Sequence, residues 1–317
     1  MTRVILDTDL AMGAPGSDID DGFALALAHA EPLIELDMIT TVNGNTDVES
    51  ATLLSLELAE RLGCGEVPIY RGAGAPLTRP DRFCGAPADT VAAFGHHEPK
   101  PGYAAVEITR HILANPGDIT LVPIGPLTNV AAALSLDHRL ATSVREIVVM
   151  GGIFLGQTHA TGMPGEFNIW KDPEAAEAVL HSGAPLRFVG LDVTLQVRLT
   201  RAHAGEMAAA GGAFGEFAGS YTTGWIDHQA ARHPDDPLQA DSCAMHDPLA
   251  VAVVAHPEFV TWRDARVDVV TGDGPARGVM VTDLLTSVDA PPPNCQIATA
   301  VDAEAFMSYF LDTIAQL

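Results

Sequence analysis

The chain has 317 residues and a formal net charge of −24, a length typical of one large α/β domain. Because a chain with this much negative charge repels phosphate backbones and anionic lipid surfaces, we expect neither nucleic-acid nor membrane partners. Hydrophobic residues make up 47% of the chain and charged residues 18%, which favours a packed core over disorder. No run approaches the ~18 consecutive apolar residues of a membrane span.

Short apolar runs alternate with longer amphipathic ones. The predicted strands, in chain order, are Val4–Leu6, Leu36–Val42, Ile119–Ile124, Ile147–Met150 and Leu186–Val189. The predicted helices are Gly22–Ala30, Val48–Leu62, Val106–Ala114, Asn129–Leu136, Pro173–Leu180 and, at the end, Ala300–Leu311. This alternation is typical of a mostly parallel, doubly wound sheet with helices on both faces. We therefore expect one α/β domain over residues 1–317, with mobile elements around 81–101 and 201–241. The segment 201–241 is also expected to contain helices.

The cysteines are few and show no paired spacing. Cys64, Cys84, Cys243 and Cys295 form neither a metal motif nor a disulfide scaffold. The N-terminus also lacks a basic region followed by an apolar one. The sequence therefore predicts a cytoplasmic protein with reduced thiols.

Five aspartates lie close together near the start of the chain: Asp7, Asp9, Asp18, Asp20 and Asp21. The first two follow the first predicted strand and the last two precede the first predicted helix, and ligands of open α/β sheets bind beyond the carboxyl ends of strands. Converging carboxylates repel one another unless protons or a cation bridge them. Oxygen donors favour Ca²⁺ or Mg²⁺ over zinc. Helix capping within a solvated loop is the alternative.

Two later segments carry the same ambiguity. His246 and Asp247 precede an apolar helix, where such a pair usually indicates a helix cap beside an imidazole. Glu166 and Asn168 are two residues apart, and in extended backbone they would face one side and could grip vicinal hydroxyls. A polar loop would show the same pattern.

Taken in order, these motifs resemble the inosine–uridine-preferring nucleoside hydrolases over essentially the whole chain. The matching elements are Asp7-Thr8-Asp9 with Asp20-Asp21, Thr40-Thr41-Val42 with Gly44-Asn45, Pro123 to Asn129, Met150-Gly151-Gly152, Glu166-Phe167-Asn168 and His246-Asp247. The resemblance implies an N-glycosidase that needs Ca²⁺ and hydrolyses ribonucleosides to ribose and free nucleobase. It also implies a homodimer or homotetramer.

The resemblance also assigns roles to residues. The implied calcium ligands are three carboxylates and one backbone carbonyl, those of Asp9, Asp21, Asp247 and Thr128. Asp7 would orient these ligands from behind, Asp20 would be the general base for a metal-held water, and His246 would contact the departing base. The implied ribose contacts are Asn45, Met150, Glu166, Phe167 and Asn168.

The chemistry of the reaction agrees with an anionic site. Cleavage of an N-glycosidic bond develops an oxocarbenium-like cation on ribose, which carboxylates stabilise more than they stabilise neutral ribose. A non-catalytic ribose- or nucleoside-binding protein on the same scaffold is the alternative, although such a sensor needs no base like Asp20. A phosphatase with an aspartate nucleophile is disfavoured, because the only lysines are Lys100 and Lys171 and the acidic surface repels phosphate.

The sequence departs from the family pattern in two places. Ten residues, Leu10 to Ile19, stand where the family has about three, and we expect this loop to bulge outward because loop extension costs little entropy. Asp18 in that loop is a rival metal ligand. Ala160 replaces an asparagine that contacts the sugar in many members, so Thr161 or His159 could take over this contact.

Two groups of aromatic and imidazole side chains stay open. His96 and His97 could hold a metal, although the sequence favours a solvated loop. Tyr221, Trp225 and His228 could close over the base, but their helical spacing suits core packing equally well.

Overall fold

A computed structural model describes residues 1–14, 16–82, 92–156, 162–284 and 289–317. The strands, in chain order, are β1 Thr2–Thr8, β2 Ile34–Thr41, β3 Ile69–Arg71, β4 Ile119–Pro123, β5 Glu146–Met150, β6 Leu186–Val189, β7 Arg198–Thr200, β8 Ser242–Ala244, β9 Val260–Val269, β10 Met280–Asp283 and β11 Cys295–Val301. The α-helices are Asp20–Ala30, Val48–Leu62, Ala104–Ala114, Thr128–Leu136, Leu140–Ser143, Phe167–Lys171, Pro173–Leu180, Leu191–Thr194, Arg201–Ala210, Ala213–Arg232, Pro237–Asp241, His246–Ala255 and Ala303–Ile314.

Nine strands form one sheet in the order β10-β9-β11-β6-β5-β4-β1-β2-β3. The neighbours from β11 to β3 pair in parallel, whereas β9 pairs antiparallel with both β11 and β10. Strands β7 and β8 form a separate antiparallel pair. The predicted single α/β domain with a mostly parallel sheet is confirmed, and the antiparallel strands at one edge are an addition to it.

The sheet separates two hydrophobic cores. Along β1, Val4 and Leu6 face one core and Ile5 faces the other. Along β5, Val148 and Val149 divide in the same way. Successive side chains of a strand point to opposite faces, and both faces are buried here because helices cover both. This is why these strands appear in the sequence as continuous apolar runs.

The order of the strands fixes where a ligand can bind. The chain continues from β1 to β2 and β3 on one side, and then builds β4, β5 and β6 on the other. The connections therefore diverge between β1 and β4, and such a switch point opens a crevice at the carboxyl ends of the strands. Asp9 follows β1 and Gly125 follows β4, and a Cβ added to Gly125 would lie 2.7 Å from Asp9 Oδ1.

Two predicted elements are wrong. The last helix begins at Ala303, because Ala300 and Val301 pair with β9 as part of β11. Asn168 lies in the helix Phe167–Lys171 rather than in extended backbone, since the Glu166 side chain caps that helix. Most of the remaining predicted elements agree with the structure to within about two residues at each end.

The first part of the loop between Asp9 and Asp20, Leu10 to Ala14, folds inward instead of bulging outward, whereas Gly16 further along is exposed. Leu10, Met12 and Ile19 are fully buried because their apolar side chains gain free energy on leaving water. Gly13 has a φ of +116°, and a Cβ there would lie 2.7 Å from Leu54 Cδ2. The buried part of the loop therefore belongs to the core beneath the helix Val48–Leu62.

The segment 201–241 contains three helices, as predicted. The mobility predicted for it and for 81–101 stays a prediction, and residues 83–91 lie outside the described residues. Within the described part of the chain, no helix has the length and apolar character needed to cross a bilayer.

Candidate active site

Three carboxylates meet where two helices begin. Oxygen atoms of Asp20, Asp21 and Asp247 all lie within 4.8 Å of one another, and all three residues are buried. The backbone N–H of Asp247 donates to Asp20 Oδ2 over 3.1 Å, which joins residues 227 positions apart in the sequence. The positive N-terminal ends of both helices face these carboxylates and stabilise their charge.

Asp9 is joined to this group through Asp21 and Asn45. The Asn45 backbone N–H donates to Asp9 Oδ2 over 2.6 Å, and its side-chain amide donates to Asp21 Oδ2 over 2.9 Å. The Thr8 hydroxyl donates to the other oxygen of Asp21 over 2.5 Å. Asn45 thus contacts two predicted metal ligands here, which the sequence did not indicate. Thr8 could have been found as a polar residue ending an apolar strand.

The electrostatics of this cluster favour a bound cation. Burial, reinforced by the charge of Asp21, raises the pKa of Asp20 to about 7, and burial raises the pKa of Asp21 to about 6. Burial and the neighbouring carboxylates also hold the pKa values of Asp9 and Asp247 well above their usual range. Among the described residues, no Lys or Arg forms a salt bridge with these four carboxylates.

A hard divalent ion fits these residues. Asp9 Oδ1 is a buried carboxylate oxygen that accepts no hydrogen bond from the described residues. The atoms of the cluster that could bind a metal are all oxygens, the ligands that Ca²⁺ and Mg²⁺ prefer. A cation would relieve the mutual repulsion that otherwise keeps protons on the cluster.

Asp7 lies behind the cluster in a separate network. Its Oδ1 accepts from the Thr40 hydroxyl over 2.5 Å and from Asn129 Nδ2 over 2.8 Å. Asn129 also donates to the Thr41 carbonyl and accepts from the Ala73 N–H. Burial raises the pKa of Asp7 to about 7 despite these bonds. The Asp7 side chain thus ties the end of β1 to β2 and to the start of the helix Thr128–Leu136.

Asp18 lies beside the cluster, nearest to Asp20, and its charge also acts on Asp21 and Asp247. Their side chains are hydrogen-bonded, and Asp18 Oδ1 also accepts its neighbour's backbone N–H, that of Ile19, over 2.8 Å. Asp18 is half-buried and is absent from the described group of three mutually close carboxylates.

Glu166 is held by backbone N–H groups. Its Oε2 accepts from Gly152 and Ile169, and its Oε1 accepts from Asn168. Asn168 donates through Nδ2 to the Ile124 carbonyl over 2.8 Å, which links it to the end of β4. A carboxylate accepts about four hydrogen bonds, so Glu166 keeps capacity for one further donor.

The other predicted pocket residues flank this segment. Met150 is buried at the end of β5, and its sulfur is 3.5 Å from Asn168 Nδ2. Phe167 is half-buried, with the Lys171 ammonium 5.5 Å from its ring centroid. The structure therefore gathers Met150 and Asn168 at the ends of β4 and β5.

Thr128 and His246 are held through neighbouring side chains. The Thr128 hydroxyl donates to Asp172 Oδ2 over 2.6 Å, while its predicted role depends on its backbone carbonyl. His246 Nδ1 lies 2.7 Å from the Thr194 hydroxyl, which fixes the orientation of a half-buried imidazole beside Asp247. Thr194 had no signal in the sequence, because it lies 52 residues away in the chain.

The sequence did not decide whether Tyr221, Trp225 and His228 contact the base or pack in the core. Trp225 and His228 stack with ring centroids 5.5 Å apart, and a Cβ at Gly16 would lie 3.2 Å from His228 Nδ1. Tyr221 packs on Phe217. These contacts support core packing against the inserted loop. His159, Ala160, Thr161 and Cys84 lie outside the described residues.

The two histidines at 96 and 97 differ in how far their side chains are exposed. His96 is exposed, as expected of a solvated loop. The His97 side chain is only 6% exposed, with its Nε2 2.9 Å from Glu57 Oε2, so the solvated interpretation is wrong for His97.

The fold is thus that of an α/β protein with a mostly parallel sheet, and its switch-point crevice holds buried carboxylates that could bind a metal ion. Residues 4–308 match the family described as inosine-uridine preferring nucleoside hydrolase. A protein of Klebsiella pneumoniae named non-specific ribonucleoside hydrolase RihC is 34% identical, and the alignment covers 98% of each chain. A Salmonella enteritidis protein of the same name is also 34% identical, over 99% of this chain and 97% of its own.

Solved structures agree. A purine-preferring ribonucleoside hydrolase from Gardnerella vaginalis superposes with a TM-score of 0.85 at 30% identity, covering 99% of this chain and 98% of its own. A plant nucleoside hydrolase superposes with a TM-score of 0.87 at 26% identity, covering 100% and 99%. The chain belongs to the inosine–uridine-preferring nucleoside hydrolase family. It is therefore an enzyme that hydrolyses N-glycosyl bonds, and the predicted family is confirmed.

Proposed function

We propose that this enzyme needs Ca²⁺ to hydrolyse ribonucleosides to ribose and free nucleobase. Asp9, Asp21, Asp247 and the Thr128 carbonyl would hold the ion. The observation that carries this proposal is the meeting of buried carboxylates, with no Lys or Arg partner among the described residues, in the switch-point crevice. When bound, the ion would supply a fixed positive charge that orients the two ribose hydroxyls and the attacking water. Ca²⁺ typically takes 6–8 oxygen ligands, more than these four groups supply.

Asp20 is the proposed general base. Calcium acidifies water far less than zinc does, so a separate proton acceptor is needed. Without the ion, burial and the charge of Asp21 raise the pKa of Asp20 to about 7. A bound cation would lower that pKa, so Asp20 would then be an ionised carboxylate able to accept a proton. The Asp247 N–H and the Asp18 side chain both bind Asp20, which fixes the direction of its carboxylate.

The sugar is proposed to bind between this cluster and Glu166. Asn45, Glu166 and Asn168 would hydrogen-bond ribose hydroxyls, and Met150 and Phe167 would line the ribose pocket. Because backbone N–H groups already orient Glu166, its negative charge needs no rearrangement as positive charge grows on the ribose ring. Preorganised charge of this kind lowers the barrier of such a step.

His246 is the proposed donor to the departing base. Departure of a nucleobase as an anion is costly, and protonation by an imidazole lowers that cost. With Nδ1 engaged by the Thr194 hydroxyl, the proton would be transferred from Nε2. Thr194 thereby selects which nitrogen faces the base.

The test compares D20N with D18N, which is the same change two residues away. We expect D20N to lower kcat on inosine and uridine by about 10²–10⁴ while calorimetry still detects Ca²⁺ and ribose binding. D18N should stay within about tenfold of the parent enzyme, because Asp18 is not one of the three mutually close carboxylates. Loss of Ca²⁺ binding in D20N would show that a ligand had been taken for a base. Loss of turnover in D18N alone would transfer the role to Asp18.

Two further expectations concern the whole protein. The buried, unpaired thiols of Cys64, Cys243 and Cys295 support a reducing compartment such as the cytoplasm. The homodimer or homotetramer stays a prediction, which light scattering of the purified protein measures directly.

A further inference from the structure

We propose that Glu57, His96 and His97 form a second metal site, for zinc or a similar transition ion, remote from the acidic cluster. One potential ligand atom from each of these residues lies within 4.8 Å of the other two. Two imidazoles and one carboxylate, with water in a fourth position, are a common ligand set for zinc.

The geometry needs little change to bind an ion. His97 Nε2 already lies 2.9 Å from Glu57 Oε2, and the two imidazole rings lie with centroids 4.1 Å apart at an angle of 35°. Tetrahedral ligands about 2.0–2.1 Å from zinc are about 3.4 Å from one another. The widest pair therefore has to close by about 1.4 Å or less, which side-chain rotation of the exposed His96 can supply.

The surroundings also favour a cation. Arg61 forms a salt bridge with Glu57 Oε1 over 2.5 Å. The carboxylate oxygen that faces His97 is Oε2. The guanidinium is held in that place by the Phe217 ring, 4.6 Å from its centroid. Glu60 Oε1 lies 3.6 Å from His97 Nδ1. The charges of Glu57 and Arg61 cancel, and Glu60 leaves one negative charge beside two imidazoles.

This site differs from the acidic cluster in place and in donor chemistry. Glu57 lies ten residues after Asp47, the cap of the helix Val48–Leu62, which is about 15 Å along the helix axis. The acidic cluster offers oxygens only, whereas the second site offers two nitrogens, and imidazole suits zinc, copper and nickel rather than calcium. The two sites should therefore be filled by different ions in the same protein.

The ion would fasten a surface segment to the body of the enzyme. The chain after His97 rejoins the edge of the sheet where the Lys100 N–H donates to the Ile69 carbonyl over 2.9 Å. A metal held by His96 and His97 on one side and by Glu57 on the helix would also fix residues 96 and 97 to that helix. We therefore expect its main effect on stability rather than on turnover.

The experiment adds Co²⁺, a coloured substitute for zinc, to the full chain in millimolar Ca²⁺. The variant H96Q is compared with H138Q, because both remove an exposed histidine without disturbing the core. We expect the parent protein and H138Q to bind one equivalent of Co²⁺ with the strong visible absorption of a four-coordinate ion. H96Q should bind it at least tenfold more weakly, and E57Q should show the same loss. Added Zn²⁺ should raise the Tm of the parent protein and of H138Q only.

Two results would overturn the proposal. One is the absence of any Co²⁺ binding with four-coordinate absorption. The other is Co²⁺ binding that H96Q and E57Q leave unchanged. Neither result depends on whether the acidic cluster binds Ca²⁺, because the readouts are metal binding and Tm rather than nucleoside hydrolysis.

Discussion

Replacing Gly44 by alanine tests how tightly the Asp9 carboxylate is enclosed. A Cβ at Gly44 would lie 1.8 Å from Asp9 Oδ2, although contacts below about 3.0 Å hardly occur, so the two groups must separate by about 1.2 Å. Bonds between Ca²⁺ and oxygen span only about 2.3–2.6 Å. A shift of this size therefore removes Asp9 from any position in which it could bind the ion together with Asp21.

The same shift breaks a hydrogen bond, which sets the effect on stability. Asp9 Oδ2 accepts the Asn45 N–H over 2.6 Å, and a hydrogen bond to a charged group contributes about 1.5–3 kcal/mol. We expect G44A to lower the free energy of unfolding by about 2 kcal/mol and to weaken Ca²⁺ binding at least tenfold. Urea unfolding and calorimetric titration with Ca²⁺ measure the two effects separately.

The control is G205A. Gly205 lies inside the helix Arg201–Ala210, and a Cβ there meets nothing within 4 Å. Alanine is the better helix former by about 0.5–1 kcal/mol, so G205A should be slightly more stable than the parent and bind Ca²⁺ equally well. If G44A bound Ca²⁺ as the parent does, with an unchanged urea midpoint, Asp9 would not be a ligand enclosed by Gly44.

Three further outcomes are expected. In the chelated protein, burial keeps the pKa values of Asp20 and Asp21 at about 7 and 6, above the ordinary value near 4. The folded state then holds protons that the unfolded chain has released, so Tm should fall as pH rises from about 4 to about 7. A rise in Tm over this range would contradict the assignment. Added Ca²⁺ should remove the dependence of Tm on pH. N129A leaves the partners of a buried amide unpaired and should lower the free energy of unfolding by about 2–4 kcal/mol in urea. H246A should lose more activity on inosine than on 4-nitrophenyl riboside, because nitrophenolate leaves without a proton; an equal loss would remove His246 from that role.

Local patterns were sufficient to predict much of the fold and the composition of the candidate site. The strand β1 is apolar from Val4 to Leu6, and Asp7 and Asp9 follow that run, which predicts a buried strand with acidic residues at its carboxyl end. The helix Val48–Leu62 had the predicted bounds, because Asp47 caps its start and Gly63, with a φ of +76°, ends it. These features depend on neighbours only a few residues apart, which is the range over which sequence patterns act.

The tertiary structure decided which distant groups meet. The pairing of Asp20 with the Asp247 N–H and of His97 with Glu57 depends on which distant segments pack together, which periodicity does not encode. The inward fold of the loop from Leu10 depended on whether the core had room for its apolar side chains. Glu166 looked like a sugar-binding residue in extended chain, yet its oxygens also had to satisfy the N–H groups of a short helix. Sequence determines which groups are available, and packing determines which of them share one space.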